Sequence, residues 1–192
     1  MQIIFAQDSD YAGLTGARFD GGAVTPDPTP EPDPTPGDGF TSDAAFVQSA
    51  DDSANAVYTL GASKINNADC SGFKLGKSSK FGTFTSKAVG VAGDKTLEFY
   101  AFAWNGKSAK LYIKVDNGGT ASVSEVTLAA NSGAAGNPPF TITAADRDKY
   151  TVTLTGLTEN STITFSTGSS FAGGAADSTG NCRAVVAGVH LK

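Results

Sequence analysis

Side chains able to act as a nucleophile, a base or an acid are scarce in this sequence. Among 192 residues there is one histidine, His190, in the last predicted strand, where a packed or edge histidine is more common than a catalytic one. A serine triad needs a base, and no serine stands in the G-x-S-x-G turn of hydrolases. Glycoside hydrolysis needs two carboxylates. The few glutamates lie in a proline-rich segment, two strands and a turn: Glu31, Glu98, Glu125 and Glu159. We therefore predict that the chain is not an enzyme.

Metal ligands are equally sparse. Two cysteines and one histidine are too few for a structural zinc site. Calcium prefers oxygen ligands, and two loops offer them, one with Asp146 and Asp148 and the other with Asp116. Because aspartate also forms ordinary turns, both loops have a simpler interpretation. A structural calcium ion is the only candidate cofactor, and no other is predicted.

Cys70 and Cys182 are the two cysteines of the chain. An even count suggests a disulfide in an exported protein and two unrelated thiols in a cytosolic one. Cys70 precedes an early predicted strand and Cys182 opens the last, and such strands often lie side by side in a sandwich. We predict a Cys70–Cys182 disulfide in the exported protein. Closing a loop of about 110 residues would stabilise the fold by up to ~4–5 kcal/mol.

Aromatic residues are concentrated in the segment TLEFYAFAWNGKSAKLYIKV, which we interpret as a β-hairpin with two competing registers. A two-residue turn at Asn105-Gly106 would direct its aromatic side chains into the core. A three-residue loop ending at Lys107 would instead turn them outward, as an exposed strip on which sugar rings could stack. The strip would consist of Tyr100, Phe102, Trp104 and Tyr112. The Asn-Gly pair favours the first register and the burial pattern favours the second. A core position for Trp104 stays open, since large aromatic side chains are usually buried.

The elements that would carry these residues are short strands. Ten segments rich in Val, Ile, Thr, Phe and Tyr follow one another between residues 40 and 192. Their spacing is typical of an all-β sandwich or barrel. No helix is long enough to connect parallel strands, so the sheets should be antiparallel. We predict an all-β, antiparallel two-sheet β-sandwich of jelly-roll type with nine or ten strands. Alternation of Val152 and Leu154 with threonines indicates a half-buried strand, and the apolar RAVVAGVHL indicates a central one.

Composition divides the chain into three parts. Residues 25–39, TPDPTPEPDPTPGDG, hold six of the eight prolines and several acidic residues, which predicts an extended, solvated linker. Residues 40–192 form the β-sandwich module. Residues 1–24 are interpreted as the tail of a preceding domain, or as an N-terminal strand that docks on the module.

Charge and hydropathy exclude several kinds of partner. The net charge of −5 argues against binding to nucleic acid, which requires a basic face. No apolar run approaches the roughly 20 residues of a membrane span. The first ten residues lack the basic start and apolar core of a signal peptide, so we expect any export signal to lie outside this chain.

The strand pattern resembles that of a known class of module. Segments such as KTLEFYAFAWNGKSAKLYIKV and PFTITAADRDKYTVTLTGLTENSTITFST carry the resemblance, which covers about residues 40–192. They are similar to C-terminal β-sandwich accessory modules of large secreted proteins of gut anaerobes, which follow proline-rich linkers beside catalytic or adhesive domains. The resemblance implies a non-catalytic accessory role and a secreted or cell-surface location.

Three functions remain for such a module. Carbohydrate binding is the foremost, and the alternatives are adhesion or protein docking, and a structural spacer that orients a neighbouring catalytic domain. The expected partners are a glycan or a cell-surface protein, together with the upstream domain of the same polypeptide. The acidic net charge favours a neutral or weakly charged polysaccharide. An exposed aromatic row would support glycan binding, and a flat apolar patch would support docking.

Overall fold

The computed structural model describes residues 39–176 and 179–192, which all fall in one compact unit of the chain. The predictions for residues 1–24 and for nearly all of the linker at 25–39 lie outside the described residues. In the described part, fifteen strands and two short 3-10 helices, Ala44–Phe46 and Asp146–Asp148, carry the fold.

The strands are numbered in chain order. They are β1 (Val57–Thr59), β2 (Lys64–Ile65), β3 (Ala68–Asp69), β4 (Gly72–Leu75), β5 (Lys80–Phe81), β6 (Thr83–Thr85), β7 (Gly93–Ala103), β8 (Ala109–Asp116), β9 (Thr120–Ala121), β10 (Glu125–Leu128), β11 (Thr141–Ile142), β12 (Lys149–Leu157), β13 (Thr162–Ser166), β14 (Gly174–Ala175) and β15 (Ala184–Leu191). Nine of them have three or more residues, and the other six have two residues each.

Two antiparallel sheets face each other. One has six strands in the order β1-β4-β15-β7-β12-β9, and the other has four in the order β10-β8-β13-β6. The prediction of an all-β antiparallel sandwich is confirmed. The jelly-roll type stays a prediction. Two smaller sheets, β11-β2-β3 and β14-β5, complete the described structure. The pair β11 and β2 is parallel, which differs from the prediction that the sheets are antiparallel. No crossover helix is needed there because most of the sandwich lies between these two strands in the chain.

The inner core fills the space between the two large sheets. Phe73 stacks on Phe84 with ring centres 3.9 Å apart, and Phe99 meets Phe165 edge-on at 5.3 Å. On β12, Val152 and Leu154 are buried while the threonines that alternate with them are exposed, which confirms the half-buried strand. Strand β15 lies between β4 and β7 and is buried along most of its length, as predicted for a central strand.

A second apolar layer, here called the outer cluster, covers the opposite face of the six-stranded sheet. The sheet contributes Phe102, Val185 and Ala187. The covering layer comes from β2, β11 and the loops beside them, and its buried residues are Leu60, Ile65, Cys70, Ala134, Phe140 and Ile142. The six-stranded sheet is therefore buried on both faces over its central strands.

The segment interpreted as a hairpin is not one. Strand β7 pairs with β12 and β15, whereas β8 pairs with β10 and β13 in the other sheet. Both predicted registers are wrong, because the chain crosses from one sheet to the other around Gly106, whose φ is +66°. The division of side chains in the second register is nevertheless correct: Leu97, Phe99, Ala101 and Ala103 share the inner core with Ala109, Leu111 and Ile113. These residues meet through packing of the sheets and not through hydrogen-bonded pairing.

Candidate functional site

The four aromatic residues of the predicted strip do not form one exposed surface. Phe102 is 0% exposed in the outer cluster, and the half-buried Tyr100 and Trp104 pack against the same cluster. Tyr112 lies in the other sheet, with its ring 6.3 Å from that of Phe171. The expectation of an outward row is wrong, because the outer face of β7 is covered by a further layer that the sequence does not reveal.

A different set of side chains comes together on the outer face. Pairing of β1, β4, β15 and β7 aligns Tyr58, Lys74, Val185 and Phe102 in one row across the sheet. Arg183 and Trp104 lie next to this row, and the backbone N–H of Trp104 donates to the backbone carbonyl of Arg183 at 3.2 Å. We call Tyr58, Lys74, Trp104 and Arg183 the basic-aromatic cluster.

The two cations of this cluster lie against aromatic rings. Lys74 Nζ is 4.9 Å from the ring centre of Tyr58 and 4.8 Å from that of Trp104. The guanidinium carbon of Arg183 is 4.2 Å from the Trp104 ring centre. At these distances the negative ring face attracts a cation, and the attraction is strongest for tryptophan. The Trp104 ring is further contacted edge-on by Phe140, at 6.3 Å between ring centres.

Lys74 is the buried cation of this cluster, and Arg183 is half-buried. Lys74 is 5% exposed, and burial lowers its pKa, as does the nearby Arg183 charge, while Asp51 raises it. Within residues 39–176 and 179–192, no carboxylate forms an ion pair with Lys74 or Arg183. Arg183 Nε is buried and has no hydrogen-bond partner in that part of the chain. Buried charges without such partners cost free energy.

A cleft of about 320 Å³ lies beside the cluster. It is lined by Asp51, Tyr58, Thr59, Gly61, Asn137, Pro138 and Pro139. Asp51 is held in place because its Oδ1 accepts the Thr59 N–H at 2.9 Å. The cleft thus combines a half-buried aromatic ring with a carboxylate and an amide, which can accept and donate hydrogen bonds. Tyr58 belongs to both the cleft and the basic-aromatic cluster, so the two features adjoin.

Cys70 and Cys182 do not form the predicted disulfide. The Cys70 thiol donates to the Ser63 carbonyl and the Cys182 thiol to the Lys77 carbonyl. Their strands are neighbours, as expected, but the antiparallel register pairs Ala184 with Leu75 and Ala187 with Gly72. The cysteines therefore lie at opposite ends of the pair, roughly 20 Å apart along the strands at ~3.3 Å per residue. A disulfide requires Cα atoms within about 7 Å.

The candidate calcium ligands do not converge. Asp148 Oδ2 accepts the Ala145 N–H at 2.9 Å, and Asp116 pairs with Lys114 at 3.0 Å. Asp146 begins a 3-10 helix. In the described ranges, no three His, Cys, Asp or Glu side chains are grouped so as to hold a metal ion. Asp146 and Asp148 belong to a short 3-10 helix, and Asp116 is the last residue of β8.

His190 joins the two ends of the module. Its Nδ1 lies 2.9 Å from Asp43 Oδ1, and Asp43 Oδ2 accepts the Leu191 N–H at 2.8 Å. The neighbouring hydroxyl of Ser42 donates to the Ser71 carbonyl and accepts the Val189 N–H. Asp43 thus fastens the first described residues onto the last strand, and His190 has the packed position expected of it.

No motif in the sequence indicated Tyr58, Lys74 or Arg183 as a candidate site residue. Lys74 lies in the segment GFKLG, where Phe73 and Leu75 enter the inner core and the lysine faces the other way. A lysine in a short apolar strand was the only local signal. Its aromatic neighbours come from β1 and from the end of β7, and only long-range strand pairing shows that they meet.

Comparison of the chain with protein-family models, with curated proteins and with solved structures finds no match. Among the residues that the structure describes, no helix has the length and apolar character to cross a membrane.

Proposed function

We propose that residues 40–192 form a non-catalytic accessory module that binds a carbohydrate in the cleft beside Tyr58. The observation that carries the proposal is the lining of this cleft, where the Tyr58 ring, the Asp51 carboxylate and the Asn137 amide occur together. The apolar C–H face of a sugar can pack on an aromatic ring, and its hydroxyls can bond to carboxylate and amide groups. Concave sites with an apolar wall and a few polar groups are the usual form of a ligand site.

In this proposal the aromatic ring that contacts the sugar is that of Tyr58, and not one from the strip predicted from the sequence. Phe102 has no exposed surface, and the Trp104 ring already contacts two cations and Phe140. Tyr58 is only half-buried and borders the cleft directly. Tyr112 is also half-buried but lies in the other sheet, which makes it a suitable control.

Docking through an apolar surface has less support than carbohydrate binding. In the part of the chain that the structure describes, the exposed large apolar side chains are Val47 and Val123, each at 38% exposure. A docking surface normally presents a contiguous apolar patch. The spacer function remains the alternative if no glycan binds. In either case we propose a secreted or cell-surface location, with the upstream domain of the same polypeptide as a partner.

We also propose that the sandwich is a jelly roll. Its support is the strand order β4-β15-β7-β12 in one sheet and β6-β13-β8-β10 in the other, since successive strands repeatedly change sheet. A jelly roll has eight strands arranged as two Greek keys in two packed sheets. In this assignment β1 and β9 are additional strands at the two edges of the six-stranded sheet, and Tyr58 lies on the edge strand β1.

The proposed function is tested by affinity electrophoresis and by glycan-array binding of three proteins: the full chain, Tyr58→Ala and Tyr112→Ala. We expect Tyr58→Ala to weaken retention at least tenfold and Tyr112→Ala to leave it unchanged, with similar melting temperatures for all three. Retention by Tyr58→Ala equal to that of the full chain would place the site elsewhere. A full chain that binds no glycan would favour the spacer function.

A further inference from the structure

A second cleft lies beside the proposed sugar site. It has a volume of about 250 Å³, and the residues that line it include Val47, Gln48, Ser49, Thr59, Gly61 and Ser71. Thr59 and Gly61 also line the first cleft, whose volume is about 320 Å³. The two clefts therefore adjoin along residues 59–61.

One short segment borders both clefts. Val47 and Gln48 line the second cleft, and Asp51 lines the first. The side-chain amide of Gln48 donates to the Ala50 carbonyl, and Asp51 Oδ1 accepts the Thr59 N–H at 2.9 Å. The first bond fixes the Gln48 side chain within the segment, and the second holds the segment against Thr59. The walls of the two clefts are thus parts of one local structure.

The two clefts offer a ligand the same kinds of contact. The first combines the Tyr58 ring with the Asp51 carboxylate and the Asn137 amide. The second combines the Gln48 amide with the side chain of Val47, which is apolar and 38% exposed. In each cleft an apolar surface stands beside groups that form hydrogen bonds. Such a repeat suits a ligand that itself repeats, as a chain of linked sugars does.

Size and the absence of a side chain at position 61 favour a ligand that occupies both clefts. The first cleft, at about 320 Å³, is close to the lower limit of roughly 300 Å³ for usual ligand sites, and the second, at about 250 Å³, lies below it. Gly61 is exposed, and the place that a Cβ atom would take there is open space. A ligand can therefore pass over residue 61 without meeting a side chain.

We infer that the two clefts bind consecutive parts of one oligosaccharide, so that the module recognises an extended glycan chain and not a single sugar or a disaccharide. The inference rests on the proposed function for the first cleft and adds the second cleft as a binding site. Val47 and Gln48 contact sugar units beyond those held at Tyr58. Affinity should therefore rise with the length of the oligosaccharide until both clefts are filled.

The experiment is calorimetric titration of the full chain with neutral oligosaccharides of increasing length. The probes are the cello-, xylo-, manno- and malto-oligosaccharides, each from disaccharide to hexasaccharide. We expect one series to bind, with the hexasaccharide bound at least tenfold more tightly than the disaccharide. A longer chain also presents more copies of the same unit, so part of this gain is statistical, and variants are needed to identify the part that comes from the second cleft.

The double variant Val47→Ala/Gln48→Ala should remove most of the gain for the hexasaccharide and leave the affinity for the disaccharide unchanged. Its matched control is Val123→Ala/Ser124→Ala, which also alters an apolar residue and the polar residue after it. Val123 has the same 38% exposure as Val47 but is not among the residues that line the two clefts. The control should keep the full gain, and Tyr58→Ala should weaken binding of both lengths.

Equal affinity for the disaccharide and the hexasaccharide would overturn the inference and leave the proposed function intact. A gain with length that Val47→Ala/Gln48→Ala keeps in full would also overturn it, as would a loss in that variant that is equal for both lengths. Absence of binding to every series would overturn the inference together with the proposed function.

Discussion

Over its central strands the six-stranded sheet is buried on both faces, but the two faces differ in composition. On the inner face, Phe73, Phe99 and Val186 belong to a core made only of apolar side chains. On the outer face, Phe102 and Val185 adjoin Lys74 and the half-buried Trp104. The strands alternate between these faces residue by residue, so the same segments contribute to both. The inner face thus resembles an ordinary sandwich core, whereas the outer one includes charge that stability alone does not require.

The two faces therefore differ in how far their buried residues are needed for stability. Replacing a buried ion by an apolar side chain of similar size is often neutral or stabilising. Replacement of the buried Lys74 by methionine is therefore expected to be tolerated by the fold. On the inner face, the described buried side chains of β4, β7 and β15 that point between the two sheets are apolar.

The largest effect is expected from truncation of the inner core. Phe99 is fully buried and contacts Phe165 and Tyr150, with ring centres at 5.3 and 5.5 Å. Phe99→Ala should reduce the free energy of unfolding by about 3–5 kcal/mol. Phe102→Ala, three residues along the same strand but in the smaller outer cluster, should cost about 3 kcal/mol, at the low end of that range. Urea unfolding of both variants measures the difference. A larger loss for Phe102→Ala would contradict the ranking of the two faces.

A smaller effect is expected from pH acting on Lys74. Burial lowers the pKa of folded Lys74 below its ordinary value of 10.5, so the unfolded chain binds more protons between the two values. Stability should therefore rise as pH increases through the folded pKa towards 10.5, by about 1.4 kcal/mol for each unit between the two values.

The control for this prediction is Lys74→Met, which should lack the rise and be at least as stable at neutral pH. Tyr150, whose pKa is raised by burial, titrates in the same range in both proteins, so the comparison of the two unfolding curves removes its contribution. Identical pH dependence in both proteins would show that Lys74 is solvated and would remove the contrast between the faces.

A still smaller effect on the free energy of unfolding is expected from replacing Glu98, which lies at the margin of the outer face. Its carboxylate bonds to Lys192 at 2.6 Å and to Lys149 at 3.0 Å, and these contacts, with Lys192 first, lower its pKa. The stabilisation is present above the unfolded pKa and is lost as pH falls through the folded one. Because both lysines are partly exposed, Glu98→Gln should cost only about 0.5–1 kcal/mol at neutral pH. Denaturation curves at neutral and acidic pH should converge for the two proteins, and a gap that persists in acid would refute the assignment.

The smallest expected effect is that of a reducing agent. A disulfide closing the loop from Cys70 to Cys182 would contribute ~4–5 kcal/mol, whereas two separate thiols contribute nothing that reduction removes. We expect the same melting temperature with and without reductant, and two labelled thiols in the denatured, unreduced chain. In the native protein Cys70 should label slowly, because burial raises its pKa to about 11. A lower melting temperature in the presence of the reductant would show that Cys70 and Cys182 form a disulfide.

Local patterns in the sequence correctly predicted those features, such as the burial of a strand, that depend on residues close together in the chain. Alternation on β12 and the apolar run of β15 gave the correct burial because each reflects one strand against one or two sheet faces. Pairing of β7 with distant strands, and the register that separates Cys70 from Cys182, depend on partners far along the chain. The same holds for the basic-aromatic cluster. Its members come from four strands or strand ends, so no window of sequence contains more than a fraction of the site.

The most direct test of the central claim, carbohydrate binding in the cleft, is nuclear magnetic resonance of the isotope-labelled chain during titration with an oligosaccharide that it binds. Amide shifts should change around the cleft, at Asp51, Tyr58, Thr59 and Asn137. Changes centred on Tyr112 and Phe171, in the other sheet, would contradict the account.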